Sequence, residues 1–166
     1  MFRPMLISGL TVDPLTNSPI VILKEIDGER TLPIWIGLLE ATAIASELEG
    51  IKFSRPMTHD LLKNIMAQAE IKVNKVEVCD LKNNTFFANI HLLREGQNFV
   101  IDARPSDAIA LALRAGAQIF VDDQVIEKSR SIDFGAKATD LDKLKDEKLK
   151  EFLENLSPEE FGKYKM

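Results

Sequence analysis

The sequence has few of the features that mark secreted or membrane proteins. Its only cysteine is Cys79, so no disulfide can form within the chain, and a reducing cytoplasm is the expected setting. Cys79 falls in an alternating strand pattern, which favours a packed, unreactive thiol. The apolar run after Arg3 is short and ends at Asp13, and no run approaches the roughly 20 residues that a membrane helix needs. We therefore expect a cytoplasmic protein that makes no membrane contact.

An excess of basic residues is also missing. The chain carries 21 Lys and Arg against 26 Asp and Glu, which gives a formal net charge of -5. Binding of nucleic acid would therefore need a local basic patch or a metal ion. With 166 residues, of which 45% are hydrophobic, the chain is long enough for one domain with a packed core and a small appendage.

Motifs of the common enzyme classes are absent. The sequence contains no P-loop, no GxSxG nucleophile motif, no HExxH zinc motif and no paired CxxC. Kinase, conventional zinc-enzyme and conventional hydrolase functions therefore have no support, and no organic cofactor is expected.

Hydrophobic periodicity predicts seven strands and three helices before residue 127. Strands are predicted over residues 5–13, 19–26, about 29–36, 71–81, 85–93, 98–102 and 118–121, and helices over residues 37–49, about 58–69 and 107–115. The core-facing residues predicted for the second helix are Leu61, Leu62, Ile65, Met66 and Ala69.

The order strand, strand, strand, helix occurs twice. Each copy ends in a helix that begins with an acid and alanine and stops at glycine, over residues 40–50 and 107–116. The repeat indicates an internal duplication that makes Glu40 and Asp107 equivalent; the alternative is a chance similarity. The expected fold class is α/β of the mixed α+β kind. Two β-β-β-α half-repeats would form a mixed, largely antiparallel sheet packed with helices, plus a C-terminal helical tail.

The last part of the chain differs in composition. Residues 128–138 resemble a linker, and residues 140–156 carry leucines and a phenylalanine at the spacing of an amphipathic helix. The predicted organisation is a domain over residues 1–127, followed over residues 128–166 by a linker and an amphipathic helical tail. The tail would be a docked helical hairpin or, alternatively, a detached partner-binding segment.

Two similar motifs, residues 55–60 (RPMTHD) and 104–107 (RPSD), each lie at the start of a predicted helix. Proline keeps the residue before it out of the helix, Thr58 and Ser106 are good N-caps, and an aspartate in the first turn complements the helix dipole. Capping is therefore one complete explanation of the two hydroxyl residues.

Capping does not explain the charged residues of these motifs. The helix over residues 107–115 is apolar on all sides, which predicts a buried position, and a charge at its end must be paired or bound to an ion. Asp102, Arg104 and Asp107 could neutralise one another. The alternative is a polar pocket at helix N-termini, a usual place for anionic ligands. His91, in a predicted strand, is expected on the solvent face.

Taken together, residues 32–37 (LPIWIG), 40–41 (EA), 55–61 (RPMTHDL) and 102–112 (DARPSDAIALA) resemble the bifunctional nuclease family. The resemblance covers about residues 4–127. It implies a compact, self-associating α/β domain with nuclease activity on DNA and RNA, in a member from a thermophilic bacterium.

The motifs and the resemblance together predict a metal-assisted nuclease that hydrolyses phosphodiester bonds. Several carboxylates, often with a histidine, can hold Mg²⁺ or Mn²⁺ in such enzymes. The catalytic candidates are His59, Asp60, Asp107 and Glu40; the phosphate-binding candidates are Arg55 and Arg104; and the metal-binding candidates are Glu40, Asp60, Asp102 and Asp107. The expected partners are nucleic acid and further copies of the chain, as a dimer or larger homo-oligomer. The alternative is a non-enzymatic oligomeric binding or regulatory module whose polar motifs are structural.

Overall fold

Stretches of alternating buried and exposed residues form the strands of a single sheet in the computed structural model, which describes residues 1–130. The strands are β1 (Phe2–Val12), β2 (Pro19–Glu25), β3 (Thr31–Trp35), β4 (Lys72–Lys82), β5 (Thr85–Arg94), β6 (Gln97–Ala103) and β7 (Gln118–Asp122). The helices are α1 (Leu38–Leu48), α2 (Thr58–Gln68), α3 (Pro105–Ala115) and α4 (Asp123–Arg130). The seven predicted strands and three predicted helices of this region are confirmed.

The strands lie in the order β3-β2-β1-β7-β4-β5-β6. Neighbouring strands are antiparallel except β4 and β7, which are parallel. Each half of the sheet is a three-stranded antiparallel meander whose last strand leads to α1 or α3, and β7 joins the two halves at the centre. The mixed, largely antiparallel sheet with two β-β-β-α halves is therefore confirmed.

Helix α3 lies at the centre of the fold. It packs against α1 and α2 and against strands β4, β5 and β7. Ile109 and Ala110 are completely buried, and Leu111 is almost so. The prediction that an all-apolar helix would be buried is confirmed, and the start of α3 is therefore held among other elements rather than on an open surface.

The predicted N-caps are wrong by one or two residues. Arg104, with an extended backbone, caps α3, and Met57 caps α2; neither Ser106 nor Thr58 is the cap. The reason is that Pro105 occupies the first helical position, where its missing N–H costs nothing, so the helix begins before Ser106. The aspartate of each motif does lie in the first turn, as predicted.

Helix α2 turns most of its predicted core face away from the protein. Among its apolar residues only Met66 is buried, whereas Leu61 and Ile65 are 52% and 55% exposed, and Leu62 is also exposed. The prediction that all these residues face the core is wrong. Its physical reason is that α2 packs mainly on α3, at the outside of the helical layer, and so only one edge of the helix meets protein.

Helix α4 was not predicted, because its two buried apolar side chains, Val125 and Ile126, are too few to show a helical period. Its last three residues belong to the predicted linker. The predicted amphipathic tail helix lies outside the described residues. Over residues 1–130, no helix has the length and apolar character required to cross a bilayer.

The central position of α3 predicts a large cost for a cavity there. We expect Ile109→Ala, at a completely buried position, to lower the free energy of unfolding by about 3 kcal/mol, within the range for deleting buried aliphatic groups. Leu15→Ala, at an exposed turn residue, should change it by less than about 0.5 kcal/mol. Urea denaturation followed by circular dichroism measures both, and equal effects of the two substitutions would contradict the central position of α3.

Candidate functional site

The beginnings of α1, α2 and α3 border one cleft, which we call the histidine cleft. Its volume is about 370 Å³, within the range of about 300–1,000 Å³ typical of small-molecule sites. Its wall is mostly apolar and includes Phe53 and Met57, and charged groups from three elements enter it. The polar and charged residues of the lining are Glu40, Thr42, Ser46, Thr58, His59, Arg104, Asp107 and Arg114.

A continuous chain of polar contacts runs across this cleft. The Nε2 atom of His59 lies 2.9 Å from Oδ1 of Asp107. Arg104 donates from Nε to Oδ2 of Asp107 and from Nη1 to Oε1 of Glu40, at 2.8 Å in both cases. The His59 side chain is 13% exposed and that of Arg104 is 64% exposed. The structure thus brings together four of the predicted site residues, including both acids of the proposed repeat, Glu40 and Asp107.

Asp107 is held in its ionised form. Burial raises the pKa of its carboxyl, but the hydrogen bonds from Arg104 and His59 outweigh burial and hold the pKa below the ordinary value. A carboxylate of this kind can fix the orientation and the tautomer of the imidazole ring. When Nε2–H donates to Asp107, Nδ1 is the ring nitrogen that can accept a proton.

Asp60, the neighbour of His59, has a different partner. Its Oδ1 accepts a hydrogen bond of 2.7 Å from Nε of Arg114, and its Oδ2 accepts one of 3.0 Å from the amide of Met57. Arg114 is only 4% exposed and also donates to the carbonyl oxygens of Ala110 and Ala43. Asp60 therefore supports the turn that carries His59, instead of facing the cleft with Asp107.

Arg114 is the residue of this site that sequence reasoning missed. The signal was present, because Arg114 is the one basic residue in the apolar run of α3. A charge on a buried helix must find a partner. Which partner it finds depends on the packing of α1 and α2 against α3, and the order of residues along the chain does not specify that packing.

Two predicted site residues lie elsewhere. Arg55 is exposed in the segment between α1 and α2 and does not line the histidine cleft. Asp102 of β6 lies opposite Asn89 of β5. The next pair along these strands is Ile101 with Ile90, and the Ile90 side chain belongs to the core, so the side chains of Asp102 and Asn89 point away from it. Its side chain therefore lies on the other face of the sheet.

The carboxylates predicted to hold a metal do not converge. Glu40 and Asp107 are both bonded to Arg104, Asp60 is bonded to Arg114, and Asp102 is on the far face. Among residues 1–130 no three His, Cys, Asp or Glu side chains form a group able to hold a metal ion. The arrangement in this structure therefore does not fit a preformed Mg²⁺ or Mn²⁺ site.

A second cleft of about 240 Å³ lies on the other side of Arg104, and we call it the tryptophan cleft. It shares Glu40 and Arg104 with the histidine cleft. Its remaining lining residues are Ile34, Trp35, Ile36, Gly37, Asn84, Thr85, Phe86, Pro105 and Ser106. At Gly37, an added Cβ would clash with Oε2 of Glu40. Any larger residue there would displace the carboxylate that binds Arg104.

The other histidine also pairs with a carboxylate, but on the opposite face of the sheet. Nε2 of His91 lies 2.7 Å from Oε2 of the buried Glu77, which Lys75 also contacts. His91, which the sequence predicted to lie on the solvent face, is therefore half-buried beside an ion pair. It lines neither cleft, so this pair is a natural control for the pair in the histidine cleft.

The role of Arg114 predicts a stability loss that an exposed arginine does not share. We expect Arg114→Met to lower the free energy of unfolding by about 2 kcal/mol, since it leaves Asp60 and two carbonyl groups without their donor. The figure is set below the range for fully buried pairs because Asp60 is about one third exposed. The matched control is Arg130→Met, whose ion pair with Glu127 is exposed on both sides and should contribute at most about 0.5 kcal/mol. Equal losses would contradict the bridging role; thermal and urea denaturation measure both.

The Asp60 contacts also predict a pH dependence. Burial raises the pKa of this carboxyl, but the bonds from Arg114 and from the Met57 amide outweigh it and hold the pKa below 3.8. The stabilisation is therefore present above pH 3.8 and is lost as the pH falls through the lowered value. We expect the stability difference between the native chain and Asp60→Asn to be largest near neutral pH and to shrink below pH 3.8. A difference that stays constant from pH 7 to pH 2 would show that the charge of Asp60 contributes nothing.

Comparison with known proteins places this architecture in a family. The Bifunctional nuclease domain matches residues 21–133, which include both clefts and the strands that border them. An uncharacterized protein of Mycobacterium tuberculosis is 38% identical over 159 residues, which cover 92% of this chain and 94% of that protein. This relative does not bear on the thermophilic source expected from the sequence, which stays a prediction.

Plant proteins are similar to this chain at lower identity. Bifunctional nuclease 1 of Oryza sativa subsp. japonica is 24% identical over 109 residues, which cover 63% of this chain and 33% of the plant protein. Bifunctional nuclease 2 of Arabidopsis thaliana is 27% identical over 105 residues, which cover 61% of this chain and 32% of that protein. The match to the domain over more than half of the chain, together with the full-length bacterial relative, shows that this protein belongs to the bifunctional nuclease domain family.

Proposed function

We propose that this protein is a nuclease that hydrolyses phosphodiester bonds of DNA and RNA in the histidine cleft. The observation that carries the proposal is the contact of 2.9 Å between His59 and Asp107 in the wall of a cleft where an exposed arginine is also present. Membership of the family supports the reaction class. The two plant relatives bear the name bifunctional nuclease.

His59 is the proposed general acid or base. Phosphodiester hydrolysis needs a group that removes a proton from the attacking water and one that supplies a proton to the leaving oxygen. With Asp107 holding one ring nitrogen, the other nitrogen of His59 can carry out one of these transfers. Glu40, on the opposite side of Arg104 from Asp107, is the carboxylate available for the second transfer.

Arg104 is the proposed phosphate-binding group. Its guanidinium is permanently charged, is 64% exposed, and has the planar shape that binds phosphate oxygens through two parallel N–H donors. Its present partners, Glu40 and Asp107, are anions, and an incoming phosphate would compete with them for the same donors. Binding of the phosphate would therefore release carboxylate oxygens at the place where protons must be moved.

Dependence on Mg²⁺ or Mn²⁺ is a separate proposal. The carboxylates do not form a preformed metal site in this structure, and no step proposed here passes through a metal ion. A divalent ion would first need Arg104 to leave Glu40 and Asp107. Comparing cleavage in EDTA with cleavage in added Mg²⁺ or Mn²⁺ tests whether such a rearrangement is required.

Self-association and a cytoplasmic location also remain proposals. The exposed apolar face of α2, at Leu61 and Ile65, and the half-exposed apolar residues 99–101 of the edge strand β6 support a homo-oligomer, dimer or larger. Burial of exposed apolar surface between identical copies is a common basis of symmetric assembly.

The two histidines provide a matched test of the nuclease. Purified native protein, His59→Gln and His91→Gln would be incubated with fluorescently labelled single-stranded DNA and RNA, in EDTA and with Mg²⁺ or Mn²⁺. We expect cleavage by the native protein, a loss of about 100-fold or more in His59→Gln, as is usual on removing a general acid or base, and nearly native cleavage by His91→Gln. Both substitutions replace a histidine that is bonded to a carboxylate, so a general effect on folding would appear in both.

Two results would overturn the proposal. Cleavage that survives unchanged in His59→Gln would place the activity at another site or in a contaminant. No cleavage of DNA or RNA by the native protein under any of these conditions would favour the non-enzymatic binding or regulatory module.

A further inference from the structure

We infer that the tryptophan cleft is a binding subsite for one nucleobase, adjacent to the phosphate held by Arg104. The inference rests on the proposed function and extends it, because it assigns a ligand to a cleft that the reaction itself does not use. Its chemical class is a flat, uncharged heteroaromatic ring joined through a sugar to an anionic phosphate.

The shared wall of the two clefts is the first step of the argument. Arg104 and Glu40 line both clefts, so the guanidinium separates the histidine cleft from the tryptophan cleft. In a nucleotide, the base and its phosphate are joined by one sugar. A phosphate bound at Arg104 therefore places its nearest base within reach of one of these two clefts.

The lining of the tryptophan cleft suits a base better than a second phosphate. Two of its lining residues, Trp35 and Phe86, are aromatic, and its charged residues are Arg104 and Glu40, whose carboxylate accepts a hydrogen bond from Arg104. Aromatic rings bind unstacked bases through their faces, irrespective of base identity. At about 240 Å³, the cleft is smaller than the sites of drug-sized ligands, which fits a fragment the size of a single base.

Polar groups at the same cleft can meet the edge of a base. Asn84 and Thr85 come from the turn and the first residue of β5, and Ser106 from the first turn of α3. Amide and hydroxyl groups both donate and accept hydrogen bonds, so they can pair with the donors and acceptors of any base edge. This combination is typical of recognition with little sequence preference.

The indole ring is fixed before any ligand arrives. Nε1–H of Trp35 donates a hydrogen bond of 2.8 Å to Oδ2 of Asp13, and this bond is the largest cause that lowers the pKa of the Asp13 carboxyl. The backbone of Trp35 is paired with Ile20 in the sheet. A ring held in this way would lose little conformational freedom if a base stacked on it.

Trp35 is the only tryptophan in the chain and is one of the lining residues of this cleft, so its fluorescence can report on a bound ligand. The protein carrying His59→Gln, which would leave the substrate intact, is titrated with a short single-stranded oligothymidylate. A parallel titration uses an abasic oligonucleotide of the same length, which has the sugar-phosphate chain without bases. We expect the oligothymidylate to quench the fluorescence with saturation and the abasic chain to leave it nearly unchanged; the native protein at low temperature should behave in the same way.

Neighbouring residues of β5 supply a matched pair of variants. Phe86 lines the cleft, whereas Phe87, the next residue along the strand, alternates to the other face. Phe86→Leu keeps most of the apolar volume and removes the ring, so we expect about a tenfold loss of affinity for oligothymidylate, as for the loss of one base stack. Phe87→Leu should leave the affinity unchanged. Melting temperatures of both variants confirm that the comparison is made on folded protein.

The outcomes separate this inference from the proposed nuclease. Equal quenching by the abasic chain, or equal affinities of the two phenylalanine variants, overturns the base subsite. Cleavage by the native protein without any quenching also overturns it and leaves the nuclease standing. Base-dependent quenching that Phe86→Leu weakens supports the subsite, even where the native protein cleaves no substrate and the nuclease proposal fails.

Discussion

The candidate site depends on one buried cation. Arg114, near the end of α3, donates hydrogen bonds to the Asp60 carboxylate of α2, to Ala43 of α1 and to Ala110 of its own helix. A guanidinium keeps its charge at any physiological pH, so its buried position is tolerable only while these acceptors are in place. Three helices are thereby joined through one side chain. The same contact fixes the position of His59, because Asp60, the carboxylate that Arg114 binds, is the next residue in the first turn of α2.

The charges that line the histidine cleft explain how an acidic protein could bind an anion. Glu40 and Asp107 surround Arg104, so the cleft has no net basic excess to attract nucleic acid from a distance. Nucleic acid would therefore have to be recognised through short-range contacts. A phosphate would replace the carboxylates at Arg104, and surfaces without net charge would bind the rest of the nucleotide. The tryptophan cleft, where the charges of Arg104 and Glu40 offset each other and two lining residues are aromatic, is consistent with this division of roles.

Within residues 1–130, local periodicity was sufficient to predict the strands, three of the four helices and the buried position of α3, because alternation and helical spacing are properties of short segments. Glu40 and Asp107, which the sequence predicted to be equivalent in two half-repeats, both bind Arg104. The sequence did not show which other element, if any, packs against each apolar face. Helix α2 shows a strong stripe that remains largely exposed, since only packing decides which edge meets the protein. Asp102 is an instructive case: it precedes α3 by a few residues, yet strand alternation sends it to the other side of the sheet.

The position of β7 has a consequence for how the chain reaches this structure. This strand pairs with β1 on one side, where Phe2 lies opposite Asp122, and with β4 on the other. The middle of the sheet is therefore supplied by one of the last described elements, and the two meanders share no strand pairing until it arrives. On a ribosome, each meander can form its local hairpins early, but the continuous sheet must wait for residue 122 to emerge. Closing so long a loop is slow compared with forming hairpins, so the half-assembled domain would expose the inner edges of β1 and β4 during synthesis.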